Sequence, residues 1–185
     1  MAAKPRLWTA EDFFELPGRE KIELWYGQPT GPKAMERRLS PFRRSMAELR
    51  LIQYLSAHVF RNDLGLVGPG FGFVTAADRA QHPPDLAFIR RDRMPREEEW
   101  DGLSLVVPDL AIEILSPVDE SEQMEEHVQA YLAGGVPLLW VVDSVRRLVV
   151  VHEPNEPPRT LEQGDELDGG DVVPGFRVAV AELFQ

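Results

Sequence analysis

The chain has no cysteine. Disulfides, thiolate zinc sites and a cysteine nucleophile are therefore excluded, and any metal must be held by oxygen or imidazole. Long hydrophobic runs are also missing. No apolar stretch reaches the ~18 residues of a membrane span, and the N-terminal MAAKPRLWTAEDFF has no secretory apolar core. The expectation is a cytoplasmic protein with no membrane partner. Lysine is scarce: Lys4, Lys21 and Lys33 stand against 17 arginines, and none follows position 33. Positive charge is short overall. The net charge is −11, whereas a passive DNA-binding protein is more often basic.

What is present suits one packed domain over 1–185, with 43% hydrophobic residues. The arginines are uneven. Arg37, Arg38, Arg43, Arg44 and Arg50 cluster near one expected helix, and Arg90, Arg91, Arg93 and Arg96 form a second group. Such groups are either solvated loop charge or a phosphate-contacting rim.

Periodicity orders the elements. TAED at Thr9 opens a short helix that Pro17-Gly18 stops. KIELWYG alternates as a strand. Met46, Leu49, Ile52 and Leu55 recur at a helical period within 42–58. GLVGPGFGFVTA reads as a strand broken by glycines. PPDLAFIR begins another at Pro84, and VPDLAIEILS gives a strand over 108–115. PDLA thus occurs twice, an echo too short to count as a repeat. Ser116-Pro117-Val118-Asp119 is a helix start, and Gly134-Gly135 is its stop. VPLLWVVD and RRLVVVHE read as a hairpin joined by about two residues. The tail VVPGFRVAVAELF adds a strand and one helical turn. This order implies an α/β fold, a mixed sheet with helices on its faces.

One residue in VPDLAIEILS is out of place. Alternation puts Leu110, Ile112 and Ile114 on one face and Asp109, Ala111, Glu113 and Leu115 on the other. With both faces covered, Glu113 is buried, and an unpaired buried carboxylate costs several kcal/mol. An arginine partner is one remedy; a metal ion is the other. Asp109 lies about 13 Å from Glu113 along the strand, too far to share an ion with it. Asp85, at the start of the other PDLA strand, is the second acid available. Carboxylates on neighbouring strands suit hard divalent cations.

Pro84-Asp85 followed by Glu113 resembles the PD-(D/E)xK nuclease superfamily. More widely, TAEDFFELPG, IELWYGQ, PPDLAFIRRDR, PDLAIEILSP, AGGVPLLWVVD and VPGFRVAVAELF resemble, in order, the Uma-two family of restriction-endonuclease-like proteins. The resemblance implies a restriction-endonuclease-like mixed sheet flanked by helices, with an extra C-terminal β-hairpin. It implies Asp85 and Glu113 as ligands of Mg²⁺ or Mn²⁺, with Glu23 as a further ligand. The implied reaction is phosphodiester hydrolysis in DNA, with the metal activating water and stabilising charge on phosphate. A cut through both strands needs two sites, so a homodimer is expected.

The match departs at several polar positions. The superfamily lysine would fall at Leu115. The family moves it to the next helix, where this chain has His127. The acid one turn earlier is Gln123, the usual glutamate after GVP is Leu138, and the usual histidine of the long helix is replaced within Arg43-Arg44-Ser45. His127 shares a helix face with Met124, Val128 and Tyr131. It is either a hydrogen-bonded core residue or the cation or base beside the metal. Lys21, which shares a strand face with Glu23, is the weaker candidate. Two readings follow: a metal-dependent DNA endonuclease using Glu23, Asp85, Glu113 and His127, or a non-catalytic nuclease fold that binds nucleic acid or a protein partner.

Overall fold

The computed structural model describes residues 42–70, 83–97, 106–115 and 121–185, and the backbone of 23–25 and 28–30. The expected helix at Thr9, the N-cap at Ser116 and the side chains of Lys21, Glu23 and Gln123 lie outside the described residues. The strands are β1 (Glu23–Trp25), β2 (Gln28–Thr30), β3 (Gly65–Pro69), β4 (Leu86–Arg90), β5 (Leu110–Leu115), β6 (Leu138–Asp143), β7 (Leu148–His152), β8 (Arg159–Leu161), β9 (Glu166–Asp168) and β10 (Arg177–Ala179). The long helices are α1 (Phe42–Arg61) and α2 (Ser121–Ala133).

A six-stranded sheet runs in the order β3-β4-β5-β6-β7-β8, and β9 and β10 form a separate two-stranded antiparallel sheet. Within the large sheet only β5 and β6 are parallel. A parallel pair needs a crossover, and α2 supplies it. The fold is thus α/β, a mixed sheet with helices on its two faces.

Alternation along β5 assigns those faces. Leu110, Ile112 and Ile114 join Ala47, Leu51, Leu55 and Val59 of α1, together with Trp140 and the C-terminal Leu167, Phe176, Val178 and Leu183. Ala111 and Leu115 point the other way, to Val128 and Tyr131 of α2. The α1 residues repeat every fourth position, the stripe a helix presents to a sheet. Gly135 takes φ +92° and ends α2, where a side chain would be strained.

β6 and β7 form the expected hairpin, but four residues (144–147) join them rather than two. The buried Asp143 organises the wider turn. Its Oδ1 accepts N–H bonds from Val145 (2.9 Å) and Arg146 (2.8 Å). Among the described residues no helix is long and apolar enough to cross a membrane.

The repeated PDLA has a structural meaning that local sequence does not reveal. β4 and β5 run antiparallel with Leu86 opposite Ile112, Ala87 opposite Ala111 and Phe88 opposite Leu110. The two tetrapeptides therefore meet at their alanines, related by a local two-fold axis through the Ala87–Ala111 pair. Each aspartate then reaches past the end of its own strand and caps the other. Asp109 Oδ2 accepts the Arg90 N–H at 2.9 Å, and Asp85 Oδ2 accepts the Ile114 N–H at 2.7 Å. Arg93 completes the first cap, donating to Asp109 Oδ1 at 2.5 Å and to the Val107 carbonyl at 3.0 Å. Arg90 and Arg91 pair with Asp92 and Asp63. Three arginines of the second group are therefore spent within the chain.

Asp109 is 4% exposed, so losing its carboxylate strands a backbone donor and a guanidinium. Asp109→Ala should lower stability by about 1–3 kcal/mol. The check is a shift of the urea midpoint at unchanged m value; a wild-type midpoint would contradict the capping role.

Candidate functional site

The candidate site lies at the other end of the same strand pair. Extending the β4–β5 register one step beyond Leu86–Ile112 sets Asp85 across from Glu113. Directly opposed residues have Cβ atoms about 4.5–5.5 Å apart. The sequence-derived pair thus lies on neighbouring strands at the same end of the sheet, while the two carboxylates take partners from different helices, Arg44 of α1 and Tyr131 of α2. Gly70 makes room for the pair. Its N–H donates to the Asp85 carbonyl at 3.0 Å, and a Cβ there would collide with the backbone of Pro84.

Asp85 carries out a specific task in this arrangement. A strand residue sends its N–H and C=O to the same side. Ile114 sends both toward β4, beyond the β4–β5 ladder that ends at Leu86. Asp85 Oδ2 takes the N–H, and Arg44 Nε donates to the C=O at 2.8 Å. The Arg44 guanidinium also pairs with Asp85 Oδ1 and, at 3.3 Å, with Glu48. Aspartate and arginine together do what the next peptide group of β4 would do, and so satisfy buried backbone. Burial raises the Glu48 pKa above its ordinary 4.5; Arg44 pulls it back down and Asp85 pushes it up.

Glu113 is 6% exposed, as the alternation requires. The Tyr131 hydroxyl donates to its Oε1 at 2.6 Å. This bond crosses from β5 to α2, and Tyr131 is itself buried. His127 stands one turn before Tyr131 and is also buried. The helix face Met124–His127–Val128–Tyr131 packs on the sheet.

Among the described residues the donor set does not fit a divalent ion as it stands; Glu23, the third expected ligand, lies outside them. Both Asp85 oxygens are engaged, one by a full positive charge. A dication on that carboxylate would face the guanidinium at close range, and like charges repel. Among the described residues no group of three His, Asp or Glu could hold a metal.

Arg44, Glu48 and the Tyr131 hydroxyl were not singled out as site groups by sequence. One signal was available for Arg44. It lies three residues before the buried Ala47, at the start of the stripe Ala47-Leu51-Leu55. An arginine on the sheet-facing side of a helix needs an acid there.

The Tyr131–Glu113 bond makes a quantitative claim. Tyr131→Phe should cost about 1.5–3 kcal/mol, the range for a hydrogen bond to a charged group. In a Glu113→Leu background it should cost clearly less. Additive losses in urea denaturation would contradict the pairing.

Comparison with known proteins agrees with this architecture. The family model Uma2, described as "Putative restriction endonuclease", matches residues 10–181. A crystal structure of a "putative nuclease belonging to DUF820" from Anabaena variabilis ATCC 29413 superposes with a TM-score of 0.78 at 20% identity. The likeness covers 95% of this chain and 97% of that one. At that identity it speaks for the fold. No curated protein matches the chain. With the strand pair, the two-faced sheet and a family match over nearly the whole length, the chain belongs to the Uma2 family.

Proposed function

We propose that this chain is a nuclease-fold protein that works by binding a macromolecular partner rather than by metal-dependent cleavage. The observation that carries the reading is the Arg44 guanidinium seated on Asp85. An active site of this superfamily needs that carboxylate for a divalent ion. Here it closes the end of a strand, in the same way as Asp109 at the opposite end, a residue with no expected role at a metal. The loss of the family lysine at the His127 position, and of the glutamate at Leu138, points the same way.

The second reading is a Mg²⁺- or Mn²⁺-dependent DNA endonuclease using Glu23, Asp85, Glu113 and His127. It is favoured by Asp85 standing across from Glu113 with His127 buried on the adjoining helix. In that case Arg44 must leave Asp85 when the ion arrives. A homodimer fits either reading.

Calorimetry with MnCl₂ separates the two. The wild-type protein should give no saturable heat, and supercoiled plasmid should stay intact with Mg²⁺ or Mn²⁺ present. Saturable Mn²⁺ binding that Asp85→Ala and Glu113→Ala both abolish, with metal-dependent nicking, would establish the second reading instead.

A further inference from the structure

Helix α1 has a second face that the described residues leave exposed. Phe42, Leu49 and Phe60 are 79%, 46% and 90% exposed. Their spacing is i, i+7 and i+18, which at ~100° per residue puts all three on one line within about 20°. That line lies opposite the buried stripe Ala47-Leu51-Leu55-Val59 and runs about 27 Å along the helix. Single exposed apolar residues are ordinary, but two aromatic rings and a leucine aligned on one helix are not.

Charge says what would cover the stripe. Arg43 and Arg61, both exposed, lie along one flank, roughly a quarter turn round; Arg50 between them is half-buried, with its Nε out of water, and stands beside Tyr54, which is bonded to Glu182. Among the described residues no carboxylate forms a salt bridge with Arg43 or Arg61. The only acid of the helix, Glu48, is turned to Arg44 on the Asp85 side. The opposite flank holds Ser45, Ile52 and Ser56 and is neutral. In a chain of net charge −11, this face is locally basic.

We propose that the outer face of α1 docks an amphipathic, acidic segment of a partner protein, whose apolar side covers Phe42, Leu49 and Phe60 while its carboxylates pair with Arg43 and Arg61. This rests on the binding reading above and names the partner class. It is the helix-in-groove mode of recognition, read through anchors at helical spacing. A second copy of the chain complements the face poorly. An antiparallel two-fold pairing sets the arginine flank against itself, and a parallel one sets it against the neutral flank. Neither provides a counter-charge. A phosphodiester backbone would satisfy the arginines but leave the two phenyl rings in water.

The test is fluorescence anisotropy with a designed helical peptide of about 20 residues, leucine along one face and glutamate on the flanks, and a twin carrying lysine for glutamate. Wild type should bind the acidic peptide saturably, and the lysine twin at least about tenfold more weakly, a difference of ~1.4 kcal/mol. Phe42→Ser with Phe60→Ser should weaken the acidic peptide by a similar factor without moving the urea midpoint, since both side chains are exposed. Arg43→Ala with Arg61→Ala should flatten the salt dependence of binding. No saturable binding, or equal binding of both peptides, overturns the proposal. So does Phe-dependent binding to phosphatidylglycerol vesicles in place of the peptide, or a Phe-dependent dimer in light scattering. Metal binding is read separately, so failure here leaves the non-cleaving assignment standing, and Mn²⁺-dependent nicking would overturn that assignment without touching this face.

Discussion

β4 and β5 do not end together, and what closes the stagger between them governs the chemistry of the site. At each end of the pair, one strand's peptide groups run on past its neighbour. Buried backbone N–H and C=O groups must find partners, because an unmade bond there costs about as much as a lost hydrogen bond. Asp109 and Arg93 supply them at one end, and Asp85 and Arg44 at the other. The local two-fold that relates the two PDLA segments makes both solutions one solution. The resemblance ends with the residue across the strand. Only the Asp85 end carries a second acid on the neighbouring strand: Glu113 follows Ile112, the partner of Leu86. One end is purely structural, and the other keeps a pair of carboxylates.

Each of the two acids has a protein partner. Glu113 is buried and is met by the Tyr131 hydroxyl from the α2 side. Asp85 is met by Arg44 from the α1 side. Two helices on opposite faces of the sheet thus each contribute a group to the acids, and both elements are fixed by extensive apolar cores. The desolvation cost of the carboxylates is offset by hydrogen bonds and a guanidinium. Of the polar changes noted in sequence, His127 for lysine falls on the buried face of α2, one turn before Tyr131, whereas Leu138 for glutamate pairs with Leu110, at the far end of β5 from Glu113. On the binding reading proposed above, such a protein retains the fold of a nuclease while its function moves to surfaces such as the outer side of α1.

Much of the fold was legible because period decides it. The helix α1, the burial of Glu113, the α2 face carrying His127 and Tyr131, and the β6–β7 pairing all follow from spacing of 3.6 or 2. The buried face of α1 does not: Met46, Leu49, Ile52 and Leu55 step by three and drift round the helix, and it is Ala47, Leu51, Leu55 and Val59 that are buried while Leu49 is exposed. The turn between β6 and β7 was misjudged because Asp143, read as the last strand residue, uses its carboxylate to organise a longer connection. Strands β8 and β9 escaped notice. RTL and ELD are three residues each, too short for alternation to register. The site was half legible. Asp85 and Glu113 stand out as acids in apolar strands, and their opposition follows once β4 and β5 are paired. Arg44 lies 41 positions from Asp85, and such pairings are decided by tertiary packing that local patterns do not encode. The twin PDLA segments looked like coincidence for the same reason. Their relation appears only when the strands lie side by side.

The central claim is that Arg44, and not a metal ion, is the cation of Asp85. Crystals grown with MnCl₂ and measured at the manganese absorption edge test it directly. The account predicts the Arg44 guanidinium on Asp85 and no anomalous peak within the ~2.0–2.6 Å bonding range of Asp85 or Glu113. A manganese peak bridging the two carboxylates, with Arg44 swung away, would contradict it.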